Sequence, residues 1–307
     1  MDKYKVAVLM STYNGEKYIR KQLDSILAQK GVEVSLYIRD DGSKDNTLAI
    51  LEEYSQKYSN VNWYKGDKNL GACGSFFELM SQKRDVDYYS LSDQDDVWDD
   101  DKIISAIEFM KKAPDDKPVL YYSNLRIVDQ NEAFLRNSHS SPMLPGAPYS
   151  YLSDVFVTGC TAVYNQSLAS IIAEIRPKDF SMHDTWIYIV ASMFGTTLYD
   201  FKPHMNYRQH GNNVIGTRKK KISFESLKRE FGKYFNWKDQ SRYKCARLIR
   251  KQFDGKLDKK TLAKIDEFVN YKKSIGATLK LAFDKDLDSS NFYRKLRFRI
   301  TVLLRND

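Results

Sequence analysis

Three carboxylates fall within the four residues Asp93-Gln94-Asp95-Asp96. Packed so tightly they repel one another unless a cation sits among them. Hard ions such as Mg²⁺ or Mn²⁺ take oxygen ligands, usually one or two carboxylates plus substrate phosphates. The Asp93-x-Asp95 spacing therefore suits a metal-bridged diphosphate, with Asp96 and Trp98 beside it. An isolated pair of this kind is more often a solvated turn that caps the next helix, so its position in the fold must decide. A second constellation is Asp40-Asp41-Gly42-Ser43. Gly permits a tight turn and Ser caps a helix. One Asp would complete such a cap, so the second is left for other work. Its carboxylate can accept from the imide N–H of uracil or thymine, or from ribose hydroxyls. Thr12-Tyr13-Asn14 forms a third polar group.

The elements that must carry these groups alternate. Lys5–Met10 reads as a buried strand, and Glu16–Ala28 as a helix with Ile19, Leu23, Ile26 and Leu27 on one face. Strand Val34–Arg39 is followed by helix Asp45–Tyr58, capped by Ser43 or Asp45. Then come strand Val61–Tyr64, helix Gly71–Met80, strand Tyr88–Leu91, helix Asp101–Lys112 and strand Val119–Ser123. This order predicts an α/β fold: a Rossmann-like, mostly parallel sheet flanked by helices. In such sheets ligands bind beyond the carboxyl ends of the strands. All three polar groups lie at such ends, which makes them one site. Further on, Val155–Tyr164 reads as a strand bent at Gly159, His183–Phe194 as a helix, and Tyr207–Gly216 as a polar loop. Residues 131–155 are loop-rich and read either as a mobile flap near the site or as a surface excursion. A catalytic region over 1–216 is thus followed by a basic helical region over 217–307.

The charge is unevenly spread. The net +9 resolves into 26 Lys+Arg against 11 Asp+Glu in residues 217–307, and 23 against 29 in the remainder. A basic tail on a faintly acidic body points to an anionic partner surface. Residues 292, 296, 300 and 303 are apolar at helical spacing among arginines, as in helices that lie on anionic membranes or that pack one face on a catalytic domain. No nucleic-acid partner is expected, because no binding motif accompanies the charge. The tail helices could also pair two chains as a homodimer. Three scattered cysteines argue against a disulfide framework. With no signal peptide or apolar run of membrane-spanning length, the expected location is cytoplasmic, peripheral on the inner face of the plasma membrane.

Together, VLMSTYNGEKYI, IRDDGSKDNT, SDQDDVW, VTGCTAVYN, MHDTW and NYRQHGNNVIG resemble, in order over about residues 4–216, the inverting family 2 glycosyltransferases of GT-A fold. The pairing of SDQDDVW with MHD and YRQHGNNVIG is most similar to bacterial rhamnosyltransferases of cell-wall and capsule polysaccharide synthesis. The resemblance implies that Thr12 and Tyr13 line the base pocket, that Asn14 belongs to the donor site, and that Asp41, with Asp40 close by, contacts base or ribose. It implies that Asn69 lies near the donor, that Asp93 reaches ribose or metal shell, and that Asp95 ligates Mg²⁺ or Mn²⁺. Asp184 takes the place of the catalytic base, although most relatives carry Glu where this chain has His183. His210 stands where some relatives supply a metal ligand, and Arg208 in the same loop could pair with the diphosphate. The implied reaction moves a sugar, L-rhamnose from dTDP-β-L-rhamnose or else a sugar from a UDP donor, onto a saccharide acceptor, which a lipid could carry. A nucleotidyltransferase or pyrophosphatase would need a Gly-rich basic phosphate loop, which MSTYNGEKY lacks. A non-catalytic sugar- or lipid-binding module could dispense with Asp95 or Asp184, and both are present.

Overall fold

An apolar run without alternation must be covered on both faces, and VAVLM at residues 6–10 is such a run. In the computed structural model it lies fully buried in β1 (Tyr4–Thr12), near the middle of a seven-stranded sheet. The structure describes residues 3–114, 116–143, 146–175, 182–209 and 241–305. β1 pairs in parallel with β2 (Val32–Asp40), which pairs with β3 (Val61–Lys65). On its other side lies β4 (Tyr88–Ser92), also parallel. Val6, Val8 and Met10 share one core with α1 (Ile19–Leu27), α2 (Thr47–Lys57) and α4 (Lys102–Met110). Strand alternation sends Ala7 and Leu9 to the opposite face, where α3 (Gly71–Met80) packs against β1. There α3 also meets α5 (Gln166–Glu174) and α6 (His183–Phe194).

The sheet is not wholly parallel. Its order is β10-β6-β9-β4-β1-β2-β3, with β6 (Val119–Ser123), β9 (Val163–Asn165) and β10 (Thr196–Asp200). β9 runs antiparallel to both β4 and β6. The bent strand expected over Val155–Tyr164 is therefore corrected. Only Val163–Asn165 is strand, and Gly159–Thr161 is a 3-10 turn.

A second, four-stranded sheet has the order β5-β11-β7-β8, using β5 (Val97–Trp98), β7 (Arg126–Val128), β8 (Phe134–Asn137) and β11 (Met205–Arg208). Tyr207 and Arg208, expected in a loop, thus belong to a strand. β5 follows the acidic turn directly and pairs antiparallel with β11, Trp98 facing Met205.

The chain divides into two compact units, Met1–Met143 with Phe156–Asn213, and Leu144–Val155 with Val214–Asp307. Residues 144–155, read within a flap or surface excursion, group with the second. That unit contains α7 (Ser241–Gln252), α8 (Lys259–Asn270), α9 (Ile275–Ala282) and α10 (Phe292–Leu303). Asp258, Ser274 and Asn291 cap the last three through their side chains. Ile249, Phe253, Ile265, Phe268, Leu281, Phe298 and Val302 form its buried interior. Among the described residues no helix is long and apolar enough to cross a membrane.

Candidate active site

The carboxyl ends of β1 and β2 are tied together by Asp40. Its Oδ1 accepts from the backbone N–H of Gly42 (2.9 Å) and Ser43 (2.8 Å), and its Oδ2 accepts from the Thr12 hydroxyl at 3.0 Å. Gly42, at φ +96°, makes that turn possible. Asp41 is equally engaged. It accepts from Arg39 Nη1 and from the backbone N–H of Leu70 and Gly71, each at 2.8 Å, at the start of α3. Asn69 donates to the Asp41 carbonyl at 2.9 Å. Arg39 also holds Ser75 and Glu78, and is 1% exposed. The structure therefore brings Thr12, Asp40, Asp41 and Asn69 into one polar knot. Asn14 joins it, donating from its backbone to Ser43 Oγ (2.8 Å) and accepting from Lys44 N–H. The Tyr13 ring is 46% exposed and remains able to meet a planar base.

Gln94 was not singled out from the sequence, although it sits inside the acidic turn. Its amide grips the Tyr13 backbone twice, accepting from the N–H (2.9 Å) and donating to the carbonyl (3.0 Å). This clamp fastens the ends of β1 and β4 side by side. Gly15 leaves room for it, since a Cβ there would lie 2.4 Å from Gln94 Oε1.

The acidic turn is held from behind by β11. The Arg208 backbone N–H donates to Asp96 Oδ1 at 3.1 Å. Its guanidinium donates to the carbonyls of Asp95 (2.8 Å) and Gln130 (3.1 Å) and to Glu132 (3.0 Å). Arg208 thus fixes the turn's main chain from a buried position. Asp93 is partly buried and Asp96 fully so, and both lie by Cys160, ligand atoms of all three being within 4.8 Å of one another. Burial, and then the neighbouring Asp95 and Asp184 carboxylates, push the Asp93 carboxyl up to about 7. Burial, and then the Asp95 and Asp93 carboxylates, raise Asp96 well above the usual range. Asp96 Oδ2 is buried with no hydrogen-bond partner. Crowded oxygens, one of them orphaned, fit a divalent cation, which would relieve the repulsion. Beneath the turn lies Lys102, its Nζ 3.6 Å from the Trp98 ring centroid and 3.2 Å from Ser90 Oγ. Burial pulls its ammonium down to about 7. Trp98 packs in the core.

Asp184 opens α6 and is 7% exposed. Its Oδ1 accepts from Thr185 N–H at 2.6 Å, and its Oδ2 from Gly159 N–H at 3.3 Å. The residue after Gly159 is Cys160, which touches the acidic turn. The Gly159-Cys160 step therefore holds Asp184 on one side and the acidic turn on the other. His183 stacks on Phe76 with ring centroids 4.1 Å apart, and both its ring nitrogens are buried without partners. Burial lowers its pKa, against the pull of Asp184. His210 lies outside the described residues.

A separate cluster of Asp99, Asp101 and His204 is occupied by its own contacts. Arg126 forks onto Asp99 at 3.0 and 2.7 Å, and His204 lies between Asp101 (3.5 Å) and Asp200 (3.3 Å).

Comparison with known proteins bears on the family and the fold. The sequence pattern of "Glycosyl transferase family 2" matches residues 7–170. The "dTDP-rhamnosyl transferase RfbG" of Shigella flexneri is 33% identical over 235 residues, 73% of this chain and 78% of that protein. An uncharacterized glycosyltransferase of Rickettsia typhi is 32% identical over 217 residues, 69% of this chain and 66% of that one. Among solved structures, S. aureus TarS 1–349 superposes with a TM-score of 0.58 at 17% identity, covering 97% of this chain and 81% of that one. Its complex with UDP gives 0.57, covering 98% and 88%. These share the GT-A fold.

Proposed function

The chain belongs to glycosyl transferase family 2, and we propose that it transfers L-rhamnose from dTDP-β-L-rhamnose, with inversion, to a hydroxyl of a saccharide acceptor in cell-surface polysaccharide synthesis. The observation that carries this reading is the Gly159-Cys160 step, which keeps a carboxylate at the start of α6 beside the acidic turn of β4. A base for the acceptor and a seat for the leaving diphosphate are thereby neighbours. The choice of rhamnose is supported by the name of the Shigella flexneri relative.

Residues 1–216 carry this chemistry. The Tyr13 ring faces the base, and the knot of Thr12, Asp40, Asp41 and Asn69 shapes the nucleoside end. Asp95 and Asp93 would hold Mg²⁺ or Mn²⁺, with Asp96 behind them. When bound, the ion would act as a Lewis acid on the departing diphosphate. Arg208 keeps the turn in place by gripping its main chain. Asp184 accepts the proton of the acceptor hydroxyl as that oxygen attacks the anomeric carbon. Two backbone N–H groups hold its carboxylate in one orientation, so the proton-accepting oxygen is in place before the acceptor arrives. A single displacement breaks the bond to the nucleoside diphosphate and inverts the anomeric centre. The basic region over 217–307 meets an anionic surface.

The test is release of nucleoside diphosphate from a panel of nucleotide sugars, with Mn²⁺, with EDTA, and with Asp95→Ala. Metal-dependent release of dTDP from dTDP-rhamnose, lost in the variant, is expected. Release from a UDP-sugar instead would replace the donor and keep the mechanism. Equal release with EDTA would remove the metal from it.

A further inference from the structure

The amphipathic pattern of α10 is set by its buried side. Phe298 and Val302 are at most 2% exposed and point into the interior of the second unit. Lys295 and Arg299 both pair with Asp288, and Arg294 pairs with Asp154. The opposite arc is apolar. Phe292 (68% exposed), Leu296 (45%), Ile300 (39%) and Leu303 (41%) follow i, i+4, i+8, i+11 spacing, which puts them on one stripe. Tyr293 and Leu304 widen it. At about 100° per residue, no charged side chain falls within the arc from Phe292 to Leu304. Arginines border it on both sides, Arg297 on one and Arg299 on the other.

α9 packs against α10 and repeats the arrangement on a smaller scale. Ile275, Leu279 and Phe283 are 73%, 46% and 55% exposed, while Leu281 and Ala282 are buried. Arg299 lies over the Phe283 ring at 5.5 Å, and Arg305 donates to Thr278, so the two exposed apolar rows adjoin. A soluble surface rarely leaves so many large apolar side chains together without a partner.

Charge decides which partner. Residues 241–305 hold 18 Lys+Arg against 7 Asp+Glu. A second copy would set two such strongly cationic regions face to face. An anionic bilayer supplies both halves of what the face lacks: acyl chains for the stripe and negative headgroups for its basic borders. We infer that the α9–α10 face docks on an anionic lipid surface, with Phe292, Leu296, Ile300 and Phe283 entering the interface. This is independent of which sugar the chain transfers.

The test is co-sedimentation of the full chain with vesicles of phosphatidylcholine alone, or with about one third phosphatidylglycerol. Leu296→Ser/Ile300→Ser is the variant, both positions being exposed and outside the catalytic unit. Wild type should bind the anionic vesicles roughly tenfold or more tightly than the neutral ones, and less at high salt. The double variant should lose about tenfold of that binding while keeping its thermal midpoint and its donor hydrolysis. Equal binding of wild type and variant to anionic vesicles, or none by either, overturns the proposal. So does light scattering that shows a wild-type dimer made monomeric by the substitutions, because the face would then be covered by a second copy.

Discussion

Asp184, the proposed base, accepts one backbone hydrogen bond from Thr185 in its own helix and one from Gly159 across the chain. Asp184→Asn keeps the size and the acceptor oxygen but cannot take a proton. Transfer should fall by about 10²- to 10⁴-fold with donor affinity unchanged, measured as kcat beside donor titration. Gly159→Ala tests the neighbouring constraint. A Cβ there would lie 2.8 Å from His183 Nε2 and 3.5 Å from the Asp184 Cβ. The imidazole is stacked on Phe76, so making room for that Cβ must disturb the stack or the backbone. The variant should lose about 1–3 kcal/mol in a denaturant melt and should lower kcat more than it raises donor KM. At this scale the sequence showed residue types at strand ends but not their partners. Arg208 could be read as a diphosphate contact because it lies in a polar segment. The pairing of β11 with β5 on one side and β7 on the other sets its guanidinium behind Asp95, and both partners, two and three residues long, are too short for periodicity to reveal. Gln94 was overlooked for a similar reason, since its two bonds reach 81 residues back along the chain.

The elements were more legible. β1, β2, α3, β6 and α6 stand where apolar runs and helical spacing put them, because burial on both sheet faces writes itself into composition. The strands of the second sheet did not show, being two to four residues long and defined by their neighbours. Two tests belong at this scale. The buried Arg39–Asp41 pair joins the end of β2 to the start of α3. Asp41→Ala leaves Arg39 charged and buried, and should destabilise the fold by about 3–5 kcal/mol in denaturant unfolding. Asp45 precedes α2 and accepts from Thr47 and Glu16. Burial would raise its pKa, but the hydrogen bonds from Thr47 and the Glu16 N–H outweigh it and lower the pKa. A depressed folded-state value means the contribution is complete above the ordinary aspartate pKa and is lost as pH falls through the lower one. The stability difference between wild type and Asp45→Asn should therefore shrink as the medium is acidified below that ordinary value.

The proposed metal can be tested on the whole molecule through its stability. An ion that binds the folded chain alone stabilises it by about 2.7 kcal/mol at a hundred times its dissociation constant. Mn²⁺ should raise the melting temperature of the wild type and leave Asp95→Ala unmoved, with no substrate needed. The division of charge, basic from residue 217 onward, was plain in composition, whereas the joining of residues 144–155 to the second unit was not. That joining needs Ser153 and Asp154 to find Leu287 and Ser289 far along the chain. β9 also has a meaning for synthesis. Among the described residues it is the strand that bridges β4 and β6, so β6 and β10 cannot join the sheet until residues 163–165 have left the ribosome. Until then β4 presents a bare hydrogen-bonding edge, a template on which nascent chains can pair with one another. Ribosome-stalled or truncated chains ending before residue 163 should be the ones that aggregate and need chaperones.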